Sequence, residues 1–204
     1  MNTVSQILIF FGNNTPIVSF LGAIIGGEEV LVLLSIYSVA GTLNLAYILI
    51  FFYLGIMVSD TLWYMLGKSR IFAWLIRLKF ISSAYEHWGR LLDVTTRKND
   101  FQALFMTKFF YGFRIATIMY LARERLSFRD FFKYSLLSNF VWVGFISALG
   151  WATGKGIKTV TYFSGNITLE VFLVGVVLVL FMVIMRVASI RVKKWLQKTS
   201  PQSN

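Results

Sequence analysis

FMTKFFYGFRIATIMYLARER, Phe105 to Arg125, is mostly apolar and aromatic, yet Lys108 and Arg114 sit inside it. One permanent cation at the centre of a bilayer costs about 3 kcal/mol or more. The flanks of the segment say how it is accommodated. Upstream, Lys68, Arg70, Arg77, Lys79, Arg90, Arg97 and Lys98 stand against Glu86, Asp93 and Asp100. Downstream come Arg123, Arg125, Arg129 and Lys133. Basic stretches beside apolar spans stay in the cytoplasm. A segment that enters and leaves by one face is a re-entrant hairpin, and Gly112 is its expected break, since glycine adopts dihedrals that other residues avoid. Broken backbone at membrane depth is tolerated only where it is buried in protein or lines a watery cavity. Lys108 and Arg114 are therefore expected to face a polar interior.

The composition agrees with a membrane setting. Hydrophobic residues make up 57% of the 204, and mean hydropathy is +0.69, above the roughly 45–50% apolar content of soluble domains. Net charge is +11. These cations flank apolar runs, so the charge reads as topology and as attraction to anionic headgroups rather than as nucleic-acid binding. No cysteine is present and His87 is the one histidine, which argues against disulfides and the common zinc sites. No cofactor is expected. The N-terminus carries no basic run before its apolar stretch and does not read as a cleaved secretory signal.

Three segments have the roughly 20 apolar residues a span needs: Leu45–Leu66, Phe131–Ala152 and Leu169–Ile190. The tail after Ile190 carries Arg191, Lys193, Lys194 and Lys198 without an acid, so it is cytoplasmic. Working backward, 155–168 lies outside and 68–100 inside. Pro16–Ala40 is apolar but interrupted at GGEEV, where Gly26, Gly27, Glu28 and Glu29 fall together. It reads as a second broken segment, opening to the opposite face.

Tyr64-Met-Leu-Gly67-Lys68 and Trp151-Ala-Thr-Gly154-Lys155 share the pattern aromatic-x-x-Gly-Lys. The acid break and the basic break precede these motifs by nearly equal distances. Opposed orientation plus repetition is the pattern of inverted-repeat transporters. The expected fold is all-α: a polytopic membrane protein of two inverted repeats, each a re-entrant helical hairpin plus a transmembrane helix, followed by a C-terminal transmembrane helix. Residues 1–67 form the first repeat and 68–100 a cytoplasmic loop. Residues 101–155 form the second repeat, 169–190 the last span and 191–204 the basic tail, all in one membrane domain. Within the loop, Ser82–Lys98 shows 3–4 spacing of apolar residues and reads as an amphipathic helix on the interface, with packing on the ends of the spans as the alternative.

The ionisable residues at membrane depth are Glu28, Glu29, Asp60, Lys108 and Arg114, and each is a candidate site residue by that fact. Opposite signs on the two halves can pair where the hairpin tips meet. Arginine suits phosphate because its planar fork donates parallel hydrogen bonds, so the cations are candidates to receive an anionic headgroup. The acids are candidates to carry protons.

These residues resemble a known family. Gly55, Asp60, Tyr64 and Gly67 fit the G-x4-(G)D-x3-Y-x2-G run of the DedA family, also called the SNARE-associated or VTT-domain family. Lys108, Phe109 and Arg114 fit its [RK]F-x4-R run. Phe131, Trp142, Leu149, Gly150, Trp151 and Gly154 fit its F…W…LGY-x2-G run. The resemblance implies two facing re-entrant hairpins and lipid movement across a membrane, with polyprenyl phosphate or phospholipid as cargo. It maps the family's hairpin acid onto Glu28, with Glu29 beside it, and its two basic residues onto Lys108 and Arg114. Four places depart from the pattern. Gly26 stands for the usual proline, Ser59 for the glycine before Asp60, and Leu121-Ala122 for Ala-Gly. Pro16 stands where many members carry a second acid, which leaves proton coupling open.

The leading reading is a lipid transporter in the cell (inner or plasma) membrane, multi-pass, with a cytoplasmic C-terminus. Its partners are anionic-headgroup lipids and, where coupled, protons. Oligomerisation is open, and no nucleic acid is expected. A non-transporting scaffold and a small-solute or ion transporter are the alternatives. An enzyme is not expected, because no nucleophile with a partner base is visible.

Overall fold

The computed structural model describes residues 12–41, 43–96, 99–106, 108, 114–164 and 167–199, for His87 and some others by backbone alone. The readings of Gly112 and of the first eleven residues lie outside the described residues. Among the described residues the chain is helical without a strand. The elements are α1 (Thr15–Ile25), α2 (Glu28–Ser38), α3 (Leu45–Lys68), α4 (Arg70–Leu75), α5 (Lys79–Thr96), α6 (Asp100–Met106), α7 (Arg114–Glu124), α8 (Phe128–Ser164) and α9 (Ile167–Thr199).

The first broken segment is a tight helical hairpin. α1 and α2 have 11 residues each, about 16 Å apiece, roughly half the thickness of a bilayer core. In a continuous helix residues 22 and 30 stand about 12 Å apart. Here a Cβ on Gly22 would lie 2.5 Å from Val30 Cγ1, so the chain has turned back on itself. Gly27 makes the turn at φ 66° and ψ −152°, a region essentially confined to glycine. The N–H groups of Gly26 and Gly27 both donate to the Gly22 carbonyl, at 2.8 and 3.1 Å. Glu28 and Glu29 thereby fall in the first turn of α2, where the positive end of the helix dipole favours carboxylates.

Among the described residues two helices are long and apolar enough to cross a membrane, Leu45–Lys68 and Phe128–Val160. Their outward faces are apolar. Tyr47, Ile50, Leu54, Val58, Leu62 and Met65 form an exposed stripe along α3, and Leu136, Phe140, Phe145 and Leu149 are exposed on α8. A helix at a water-facing surface would carry polar residues there. In the segment expected outside the membrane, residues 155–164 continue α8 as helix to Ser164. A lone glycine inside a helix costs about 1 kcal/mol and does not end it. Gly154 serves packing instead. The expected third span lies within α9, whose described apolar stretch is Val171–Val187. The basic tail stays helical to Thr199.

The chain forms two compact units, 1–59 with 139–182 and 60–138 with 183–204. Both α3 and α8 contribute to each. In the first unit Gly55 of α3 abuts Phe20 and Ala23 of α1. Gly150 and Gly154 of α8 abut Val32, Ser35 and Ile36 of α2. In the second, Tyr64, Leu92, Ala103, Leu104, Ile118, Leu121, Ala122, Leu126 and Phe131 form one buried cluster. Gly67 of α3 abuts Met119 and Ala122 of α7. The two aromatic-x-x-Gly-Lys motifs thus make the same kind of contact. Each glycine seats the second helix of a broken segment, and each lysine lies over its own motif's ring, Lys68 5.7 Å from Tyr64 and Lys155 3.8 Å from Trp151.

The expected amphipathic helix lies in α5, described over Lys79–Thr96, and its apolar face is covered by protein. The Tyr120 ring of α7 sits so close to Gly89 that a Cβ there would lie 2.4 Å from it. Trp88 Nε1 donates to Thr117 Oγ1 at 3.0 Å. The Tyr85 hydroxyl donates to Glu124 Oε1 at 2.8 Å. Burial first, then this bond, pushes the Tyr85 hydroxyl above its ordinary range, so it stays a donor. Arg125 pairs with Asp93 and, at 3.4 Å, with Asp100. The periodicity of the helix was legible; the missing side chain that lets Tyr120 dock was not a periodic feature.

Candidate functional site

Asp60, Lys108 and Arg114 form one buried charge cluster in the second unit. Asp60 lies on α3, Lys108 lies between α6 and α7, and Arg114 opens α7 as described. Both carboxylate oxygens of Asp60 are engaged. Oδ1 accepts from Arg114 Nε at 2.9 Å and also from Nη2. Oδ2 accepts from Lys108 Nζ at 3.3 Å. The side chains of Asp60 and Lys108 are 1% and 3% exposed, and that of Arg114 is 18% exposed.

The arrangement explains how the segment from Phe105 keeps its cations. Their nearest anion is supplied by another helix, 48 and 54 residues away in the chain. A buried charge is tolerated when it is paired and hydrogen-bonded. The three side chains sum to one net positive charge. Among the other acids of this unit, Asp93 and Asp100 contact Arg125, Glu124 contacts Tyr85 and Asp130 contacts Ser127. Arg114 is the most exposed of the three.

Glu28 and Glu29 belong to the first unit. Glu28 Oε1 accepts from Trp142 Nε1 of α8 at 3.3 Å. Glu29 Oε1 is buried and, among the described residues, has no hydrogen-bond partner. The sequence reading gave Trp142 no role. An indole donor on an apolar helix opposite a half-buried acid was the available signal. Among the described residues no group of three or more His, Cys, Asp or Glu could hold a metal ion.

The chain matches no family model, no curated protein and no solved structure.

Proposed function

We propose that the chain is a multi-pass membrane protein that carries the headgroup of a phosphate-bearing lipid across the bilayer. On this reading the two broken segments form an inverted repeat of the DedA kind, and the Asp60–Lys108–Arg114 cluster is the headgroup site. The observation that carries it is the cluster itself: two cations and one acid, buried in a unit whose long helices are apolar on their outward faces. Asp60 occupies the cations as an internal anion. A phosphate competes for Arg114, whose fork matches its geometry. Lys108 stays on Asp60 and keeps the carboxylate paired while Arg114 is engaged. The lipid tails remain in hydrocarbon throughout.

The test is retention of lipid by the detergent-purified protein, read by native mass spectrometry. Phosphatidic acid, with its exposed phosphomonoester, is compared with zwitterionic phosphatidylcholine and with uncharged diacylglycerol. The wild type is expected to retain phosphatidic acid most and diacylglycerol least. Arg114→Gln is expected to weaken that retention about tenfold or more, the worth of a hydrogen bond to a charged group. Equal retention of all three lipids, or no change on Arg114→Gln, contradicts the headgroup site.

A further inference from the structure

We infer that the segment from Lys68 to Leu78 is a lipid-sorting lip that gathers anionic phospholipid at the end of α3. α3 ends at Lys68, and Ser69 turns the chain there. Its hydroxyl donates to the Leu66 carbonyl at 2.6 Å and accepts from Phe72 N at 3.2 Å. The short helix α4 that follows has an inner and an outer side. Inward, the Phe72 ring meets Tyr85 edge-on at 5.9 Å, and Tyr85 in turn meets Tyr120 of α7. Outward, Ile71 and Trp74 of α4 and Leu78 in the turn beyond it are 65%, 62% and 44% exposed. Exposed apolar side chains of this size, next to one another, mark a binding surface.

The charge on the same surface names the partner. Lys68, Arg70 and Arg77 are all exposed, and no acid occurs from Thr61 to Tyr85. In the chain Trp74 falls between Arg70, which opens α4, and Arg77, in the turn that follows it. Indole rings settle at headgroup depth, with lysine and arginine reaching the phosphates. Each cation near an anionic surface contributes about 1 kcal/mol, roughly a fivefold preference. Neutral lipid satisfies the apolar half of this surface and leaves the cations without a counter-charge. Anionic lipid satisfies both. The lip belongs to the same unit as the buried cluster and is tied by Phe72, Tyr85 and Tyr120 to α7, which begins at Arg114. Lipid gathered here is therefore held beside the element that carries the site. The inference rests on the membrane placement proposed above, and not on transport.

The chain has no cysteine, so single reporters are clean. Ile71→Cys carries a bimane fluorophore in phosphatidylcholine vesicles that contain a minority of brominated phosphatidylglycerol or, separately, brominated phosphatidylcholine. Phe140→Cys, on the exposed face of α8, is the reference. At Ile71→Cys the brominated anionic lipid is expected to quench as though enriched about fivefold or more over its bulk fraction. The excess should fall with added salt and vanish in Lys68→Gln/Arg70→Gln/Arg77→Gln. At Phe140→Cys the two lipids should quench alike. Equal quenching at Ile71→Cys overturns the lip and leaves the membrane placement standing, as does quenching at Phe140→Cys alone. Quenching at neither position removes the membrane placement and the lip with it.

Discussion

Asp60→Ala is expected to destabilise the protein by about 3–5 kcal/mol, the cost of leaving buried charges without their partner. Both carboxylate oxygens are used, and the residue is almost fully buried. Removing it sets Lys108 and Arg114 against each other in the same pocket. Asp60→Asn separates charge from packing, since it keeps the shape and removes the anion. It should cost nearly as much as alanine. Lys108→Met should cost less, because Asp60 keeps Arg114. Asp60→Ala/Lys108→Met/Arg114→Met should recover much of the loss, as apolar groups often replace buried ion networks without penalty. Reversible unfolding in mixed micelles measures all four. A cost below about 1 kcal/mol for Asp60→Asn, the level of an exposed pair, would mean the cluster does not hold the second broken segment.

The second large effect is steric and occurs twice. Gly67→Leu and Gly154→Leu should each destabilise by about 1–3 kcal/mol or more, as overpacking does. A Cβ at Gly67 would stand 2.8 Å from Met119 Cα and from the Met119 carbonyl oxygen. One at Gly154 would stand 2.6 Å from the Ile36 carbonyl oxygen. Both obstacles are backbone, so α7 or α2 must move as a body. Gly156 lies two residues on and meets open space. Gly156→Ala should be neutral or stabilising by up to about 1 kcal/mol through helix propensity alone. Matched losses at Gly67 and Gly154 beside a tolerant Gly156 are the expected pattern in thermal unfolding. Tolerance of leucine at either motif glycine would show that it does not seat a helix.

What could be read in the sequence follows from how local each cause is. The break at Gly26–Gly27 was legible because a glycine pair followed by two acids disrupts an apolar run within five residues. α3 was legible because nothing in it breaks a helix. The apolar span was drawn to Ala152, where the apolar run gives way, whereas the helix continues to Ser164 and Gly154 is a contact surface. The five charged candidates were named through the cost of burying them. Asp60 was a candidate to hold the second hairpin in place, and the structure pairs it with both cations. The bond from Trp142 to Glu28 had no counterpart in the sequence reading. Such pairings depend on helix packing, which a single sequence does not carry. α5 shows the same limit, since its apolar face was visible and the α7 surface that covers it was not.

Inversion of a phosphate-bearing lipid in proteoliposomes tests the central claim most directly. A headgroup-labelled lipid is followed by its accessibility to an external quencher, with and without a pH gradient. The wild type should invert the lipid faster than protein-free vesicles. Arg114→Ala should return the rate to the protein-free value while staying folded, because Lys108 still pairs with Asp60. A wild type no faster than protein-free vesicles, with or without the gradient, would contradict the proposed function. So would an Arg114→Ala variant that transports as well as the wild type.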